Sequence, residues 1–448
     1  MKLYFISLGC DKNLVDSEMM LGQLIEHGIQ ITDDPEEAEA VVINSCCFIG
    51  DAKEESIRNI LEMAERKKTG QLKALLVGGC LSQRYQEEIR KEIPEVDAIL
   101  GTMNIDRIVE ALDHALQGET GNYVGDCNAV PVFGKKRYLT TGGHYAYMKI
   151  AEGCNKRCTY CIIPYVRGSF RSIPMESLLK EAQELAEQGV KELILVAQET
   201  TLYGVDLYGE KSLHRLLQEL AKIQGIEWIR VLYCYPEEIY DALIDTMATE
   251  PKVCHYLDLP IQHASDPILK RMGRKTDQQD LRRIIGTLRS RIPDICLRTT
   301  LISGFPGETQ EDFEELYRFV NEMEFDRLGV FAYSAEEGTP AASMPDQVPE
   351  EVKEQRRDEL MELQQEIAFE KAQERVGRTF RIMVEGSLPE EGTFVGRTYM
   401  DAPEVDGFVF FEPRPEEAAR EYMTGDYEYV TITEAREYDL IGEVTDPE

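Results

Sequence analysis

One tryptophan and six histidines are all that 448 residues contain of these types, and Lys and Arg together number 49 against 83 Asp and Glu. No stretch approaches the roughly 20 apolar residues that a bilayer-spanning helix needs, which argues against an integral membrane protein. The histidines, His27, His114, His144, His214, His255 and His263, form no ligand cluster. Neither a Walker phosphate loop nor a Gly-x-Ser-x-Gly elbow occurs, which removes support for nucleotide hydrolysis and serine-hydrolase chemistry. The formal charge of −34 would repel a phosphate backbone over most of the surface, and favours a basic partner.

What is present fits a large folded chain. With 43% hydrophobic residues and roughly 150 residues per domain, about three globular units are expected. The opening Met1–Cys10 superficially resembles a lipoprotein signal. Its apolar stretch is at the short limit, however, and Lys12, Asn13 and Asp16 follow at once, so it reads as a buried first strand. Eleven cysteines without a credible export signal read as reduced, ligating thiols in a cytoplasmic protein.

Residues 3 to 116 alternate apolar runs (Leu3–Leu8, Val41–Ser45, Ala74–Gly79, Val96–Leu100) with helical patterns near 14–27, 51–68, 82–91 and 104–116, the signature of a parallel α/β sheet. Glycines and a proline from Glu119 to Gly143 suit a linker. A second series follows, with strands at Tyr145–Ile150, Leu193–Ala197, Trp228–Tyr233, Tyr256–Ile261, Leu297–Ile302 and Leu328–Tyr333 and helical patterns between them. Six such repeats predict a full or partial (β/α) barrel with its chemistry at the carboxyl ends of the strands. A charged helix over about 350–376, stopped by Gly377, leads to 71 residues of alternating β pattern, for which a small antiparallel barrel is expected. The divisions are 1–118, a linker 119–143, 144–334, a loop and connecting helix 335–377, and 378–448.

The strongest signal is the loop Gly153-Cys154-Asn155-Lys156-Arg157-Cys158-Thr159-Tyr160-Cys161 after the first strand of the second series. CxxxCxxC spacing in so short a loop turns three thiolates toward one iron–sulfur cubane and leaves one iron open to an outside ligand. Zinc would want a fourth Cys or His, and His144 precedes the strand, at the wrong end of it. Cys10, Cys46 and Cys80 form a second set. Each follows a predicted parallel strand, and parallel strands present their carboxyl ends on one edge, so three distant thiols converge. Cys47 competes with Cys46 for the ligand role. Cys127, Cys234, Cys254 and Cys296 show no paired spacing.

The three-cysteine loop on a parallel barrel resembles the signature of radical S-adenosylmethionine enzymes. Together with the N-terminal set and the terminal β segment, the chain resembles the methylthiotransferases of that superfamily over essentially its whole length. Leu8-Gly9-Cys10-Asp11-Lys12-Asn13-Leu14-Val15-Asp16-Ser17-Glu18, Gly79-Cys80-Leu81-Ser82-Gln83-Arg84-Tyr85 and Gly304-Phe305-Pro306-Gly307-Glu308-Thr309 carry the likeness, and motif alignment selects Cys46 over Cys47. The resemblance implies two 4Fe-4S clusters, one on Cys10, Cys46 and Cys80, the other on Cys154, Cys158 and Cys161. It also implies S-adenosylmethionine as both methyl donor and radical source, an electron donor, a sulfur source and a TRAM-like terminal barrel. Gln198 and Glu199 follow a barrel strand and Arg298 opens one, which makes them candidate S-adenosylmethionine contacts; ordinary strand-end packing is the alternative for each.

Within the family the choice lies between transfer-RNA-modifying members of the MiaB type and members that modify an aspartate of ribosomal protein twelve of the small subunit. Residues 378–448 hold six basic and eighteen acidic side chains, a net of −12 in 71 residues against −22 in the preceding 377. Phosphate binding calls for Lys and Arg, so direct RNA binding by this segment is disfavoured. Asp401, Glu404, Asp406, Glu416 and Glu417 are expected to face a basic protein instead. Segments Arg230–Pro236, Tyr256–His263 and Ala197–Gly204 look like the ribosomal-protein type, with Glu199 in place of the more usual Asp. A non-catalytic two-cluster electron carrier is the alternative of another class; it would gain nothing from an open iron.

Overall fold

The computed structural model describes residues 1–390, 392–414 and 422–446. The first sheet is wholly parallel and holds β1 (Lys2–Ser7), β2 (Gln30–Thr32), β3 (Ala40–Ser45), β4 (Ala74–Gly79), β5 (Ala98–Leu100) and β6 (Gly121–Tyr123) in the order β2-β1-β3-β4-β5-β6. Every residue of β3 and β4 is buried. That is why these strands read as continuous apolar runs: helices cover both faces of a parallel sheet. The short edge strands β2 and β6 lack such a run, and the sequence pattern did not indicate them. β6 lies in the stretch expected to be a linker, where it extends the sheet through Ala98↔Gly121 pairing.

The second sheet runs through β7 (Tyr145–Lys149), β10 (Glu192–Val196), β11 (Trp228–Val231), β12 (Val253–Asp258), β13 (Cys296–Ser303) and β14 (Arg327–Ala332), in chain order and all parallel. It stays open between β7 and β14, so the incomplete form of the barrel is the one adopted. A two-residue ladder of β8 (Ala151–Glu152) with β9 (Arg171–Ser172) holds the two ends of the cysteine loop together. The helix Gln310–Met323 begins at a reciprocal cap, Thr309 with Asp312, and the helix Glu350–Gln373 buries Leu360, Leu363 and Ile367.

A closed barrel ends the chain: β15 (Thr379–Leu388), β16 (Thr393–Arg397), β17 (Val409–Glu412), β18 (Tyr427–Ala435) and β19 (Leu440–Val444), ordered β15-β16-β17-β19-β18. It departs from a purely antiparallel barrel in one place, the parallel pairing of β17 with β19.

The terminal barrel is docked onto the amino ends of the second sheet. Trp228, Tyr256 and Cys296 share one buried apolar cluster with Ile382, Met400, Phe411 and Val430. Glu192 on β10 lies between Arg230 (2.8 Å) and Arg397 (2.7 Å), all three fully buried. Here the expectation for the acidic barrel needs correction. Asp401 is buried on Arg327, and Asp406 accepts from Tyr256 Oη at 2.7 Å and lies 3.7 Å from Arg298. These two carboxylates hold the chain to itself, because a −12 segment packed against the strand ends meets the arginines gathered there. Glu404 remains exposed, and Glu416 and Glu417 lie outside the described residues.

Candidate active site

Cys10, Cys46 and Cys80 follow β1, β3 and β4, which are adjacent in the sheet, so the three thiols share one edge as their positions after the strands predict. Close approach at that edge excludes side chains. A Cβ on Gly9 (φ +89°) would lie 2.7 Å from both Cβ and Sγ of Cys46, and one on Gly79 (φ +94°) would meet the Ser45 carbonyl oxygen at 2.4 Å. Burial pushes the Cys46 thiol up to about 12, with Cys80 and Cys10 adding to the rise. Burial also raises Cys80, which Arg167 partly offsets. Cys47 packs in the apolar cluster of Ile43, Leu75 and Leu81, to which Cys80 also belongs, and burial, with Cys80 and Cys46 nearby, pushes its thiol up.

Cys154, Cys158 and Cys161 sit at the carboxyl end of β7. Burial raises Cys154 to about 11, with Glu199 and Cys158 adding to the rise, and Cys161 to about 12, with Cys158 and Cys154 adding. The loop is held from several sides. Cys154 N–H donates to the Gly168 carbonyl at 3.1 Å, Thr159 N–H to Met272 at 2.9 Å, and Tyr235 Oη lies 3.8 Å from Cys158 Sγ with Arg274 stacked 4.5 Å over its ring. His144 is far from this work, bonded to Glu385 of the terminal barrel at 2.8 Å.

The donor chemistry can be tested against the implied groups. Among the described residues, no three His, Cys, Asp or Glu side chains meet closely enough to hold a single metal ion. A cubane needs no such meeting, because each thiolate binds a separate iron. Two triads of thiols, buried except for the exposed Cys10 and the half-buried Cys161, and with thiols of each triad within electrostatic reach of one another, fit clusters better than zinc. Beside the Cys154 loop, Glu199 is fully buried; its Oε1 accepts from Thr201 N–H at 2.9 Å while its Oε2 has no partner. Burial raises this carboxyl to about 7. Arg274 Nε and Nη1 are likewise buried without partners. Unpaired buried polar atoms of both signs next to the loop suit a zwitterionic ligand.

Of the candidate S-adenosylmethionine contacts, Gln198 is engaged in the loop itself, accepting from Gly153 N–H at 2.7 Å and donating to Glu152 at 2.9 Å. Arg298 is placed elsewhere. It pairs with Asp258 at 3.0 Å and lines a cavity of about 360 Å3 together with Cys10, Asp11, Tyr147, Tyr233 and Glu404. None of the Cys154 loop lines that cavity, whose walls come from the first sheet, the second sheet and the terminal barrel.

Sequence reasoning missed the polar joint between the two cysteine sites. The helix Asp11–Glu26 buries Asn13, Asp16 and Glu18, each of which has a charged partner beyond residue 130. Arg167 bonds Asn13, Asp16 and Cys80; Lys149 bonds Asp16 and Glu152; Arg137 bonds Glu18 and Glu181. The available signal was a lysine at the inner end of an otherwise apolar strand, Tyr145–Lys149, which only a buried anion can satisfy.

Matches to known families follow this division of the chain. Residues 148–320 match the radical SAM superfamily, residues 376–445 the TRAM domain, and residues 2–101 the uncharacterized protein family UPF0004. Fold comparison agrees: the radical S-adenosylmethionine methyltransferase TsrM from Kitasatospora setae, with cobalamin and a [4Fe-4S] cluster bound, superposes with a TM-score of 0.54 over 88% of this chain and 77% of its own. At 12% identity that likeness concerns the fold alone. The protein is thus of the radical S-adenosylmethionine class.

Its nearer kinship is specific. The ribosomal protein uS12 methylthiotransferase RimO of Lachnoclostridium phytofermentans is 60% identical over 442 residues, 99% of each chain, and that of Desulfitobacterium hafniense 49% identical over 445 residues, 99% of this chain and 98% of its own. The chain belongs to this RimO family of methylthiotransferases.

Proposed function

We propose that this protein attaches a methylthio group to the β-carbon of an aspartate in ribosomal protein uS12, working in the cytoplasm. Full-length likeness to uS12 methylthiotransferases supports the substrate. The observation that carries the mechanism is the placing of two thiol triads on either side of one buried polar joint. In this reading Cys154, Cys158 and Cys161 hold the cluster that binds S-adenosylmethionine, and Cys10, Cys46 and Cys80 hold the one that handles sulfur. When bound, these groups supply the radical, the methyl group and the site of sulfur methylation; a separate electron donor and sulfur source feed them.

The chain's own residues orient and shield. Gln198 fixes the loop by bonding the backbone N–H beside Cys154. Glu199, with its free oxygen, is suited to accept the ammonium of the methionine moiety, and Arg274 to meet its carboxylate. Tyr160 packs edge-on against Phe305, which packs against Tyr333, and this aromatic wall excludes water from the loop. The cavity at Cys10 is open to the exposed Glu404 and has room for one inserted side chain and its backbone. A loop of a basic protein entering there would meet Glu404 at the rim, Asp11 and Asp258 being already paired with Lys12 and Arg298.

The terminal barrel adds a docking face. Glu412 and Glu443 are both exposed and directly opposite one another on β17 and β19. Like charges so placed cost stability, and a basic partner relieves that cost. The deciding experiment is anaerobic incubation of the reconstituted protein with S-adenosylmethionine, sulfide and a low-potential reductant, offering uS12 and transfer RNA in parallel. A mass gain of one methylthio group for hydrogen on a uS12 aspartate is expected. The same gain on an adenosine, with uS12 unchanged, would overturn the reading.

A further inference from the structure

Arg167 is almost completely buried and comes from the radical domain, six residues after Cys161, yet its guanidinium ends in the other site. Nε lies 3.3 Å from Cys80 Sγ. Nη2 donates to Asn13 Oδ1 at 2.8 Å, and Nη1 to Asp16 Oδ2 at 2.7 Å and Glu152 Oε2 at 3.2 Å. Lys149 joins the same two carboxylates from the second side. Two cations and two anions balance within this joint, so the Cys80 sulfur, once it is a thiolate, is the surplus anion that the Nε–H faces. From Glu152 the bonding continues through Gln198 to the Gly153 N–H, next to Cys154. An unbroken path of hydrogen bonds, buried as far as Glu152 and half-buried at Gln198, therefore connects a ligand of one triad to the loop of the other.

We propose that Arg167 is a positioning residue for the N-terminal cluster: it fixes the Cys80 thiolate by a charge-assisted hydrogen bond, raises that cluster's reduction potential, and ties its geometry to the S-adenosylmethionine site. The proposal rests on the assignment of Cys10, Cys46 and Cys80 as cluster ligands. Hydrogen bonds to ligand sulfur and local net charge are among the main determinants of an iron–sulfur potential, and both come from this one side chain. Partners of this kind hold ligands in place, and losing one lowers metal retention by roughly 10- to 100-fold. Burial strengthens the effect, since no water is at hand to replace the N–H.

The test uses the full chain with Cys154, Cys158 and Cys161 changed to Ala, so that only the N-terminal cluster gives a signal. Iron content and the midpoint of a dithionite titration, followed by electron paramagnetic resonance, are compared for that parent and for Arg167→Lys, Arg167→Gln and Asp16→Asn added to it. The expected order of midpoints is Asp16→Asn above the parent, then Arg167→Lys, then Arg167→Gln, because removing an anion and removing a cation move the potential in opposite directions. A purely structural loosening would move the Asp16 and Arg167 variants the same way and would overturn the proposal, as would a Gln variant titrating with the parent. Should Arg167→Gln retain no iron, the Lys variant decides: a midpoint below the parent sustains the role, an unchanged one ends it. An iron-free parent would instead refute the cluster assignment itself, and the role of Arg167 with it.

Discussion

The two cysteine sites are built in different ways. Cys154, Cys158 and Cys161 lie within eight residues of one loop, and their geometry is a property of that loop. Cys10, Cys46 and Cys80 are spread over 71 residues and meet only because β1, β3 and β4 are neighbours in a parallel sheet. A local site survives damage elsewhere in the fold, whereas a distributed one depends on strand order and register. The joint of Arg167, Lys149, Asp16 and Glu152 lies between the two and reaches both, Cys80 through Arg167 and the Cys154 loop through Glu152 and Gln198.

Removing each triad is the largest available perturbation. Changing Cys154, Cys158 and Cys161 to Ala should abolish deoxyadenosine formation and leave about half the iron, one cluster of two. Changing Cys10, Cys46 and Cys80 should spare that cleavage while ending methylthiolation of uS12. Iron analysis and chromatography of the nucleoside product read both, and loss of all iron from either variant would break the picture of two independent sites.

The next effect concerns the terminal barrel. From the sequence its removal should spare S-adenosylmethionine cleavage, since both triads lie upstream. The packing of Trp228 and Tyr256 against Ile382 and Phe411 argues otherwise, because truncation at residue 378 uncovers the floor of the second sheet. The truncated chain should unfold at a lower temperature and lose cleavage activity in proportion. Glu192→Ala is a finer probe of the same contact: it strands Arg230 and Arg397 in the interior and should cost about 3–5 kcal/mol in denaturant unfolding.

A smaller effect should sharpen the account of the local site. Burial holds the Glu199 carboxyl at about 7, above its ordinary value, so the ionised form that would pair with an ammonium is present above that pH and lost below it. Affinity for S-adenosylmethionine should therefore fall roughly tenfold between about pH 8 and about pH 6, and Glu199→Gln should flatten that profile while weakening binding at the upper end. Equilibrium dialysis under anaerobic conditions measures both, and an unchanged pH profile in the variant would remove Glu199 from ligand binding.

The smallest effect is expected at the exposed face of the terminal barrel. Reversing Glu412 and Glu443 to Lys should weaken uS12 binding a few-fold at low salt, with the difference shrinking as ionic strength rises. Both residues are outside the docking contacts of the barrel, so cleavage of S-adenosylmethionine should be unchanged.

The legible part of this protein was whatever one segment settles by itself. Continuous apolar runs identified β3 and β4, since burial on both faces leaves no room for alternation. Three-residue β2 and β6 escaped because an edge strand is specified by its neighbour more than by its own side chains. Spacing within 154–161 pointed to iron–sulfur chemistry without any knowledge of the fold. For Cys10, Cys46 and Cys80 the sequence supplied only their positions after strands, and strand adjacency turned that into a site. Tertiary structure alone decided the fate of the charges. Asp401 and Asp406 counted as surface acid in the composition yet lie buried on Arg327, Tyr256 and Arg298, and Asp16 and Arg167, 151 residues apart, form one buried pair. The reason is physical: apolar periodicity is imposed by an element's own geometry, but a buried charge is tolerable only when a distant segment brings its counter-charge, and no local pattern records which segment that will be.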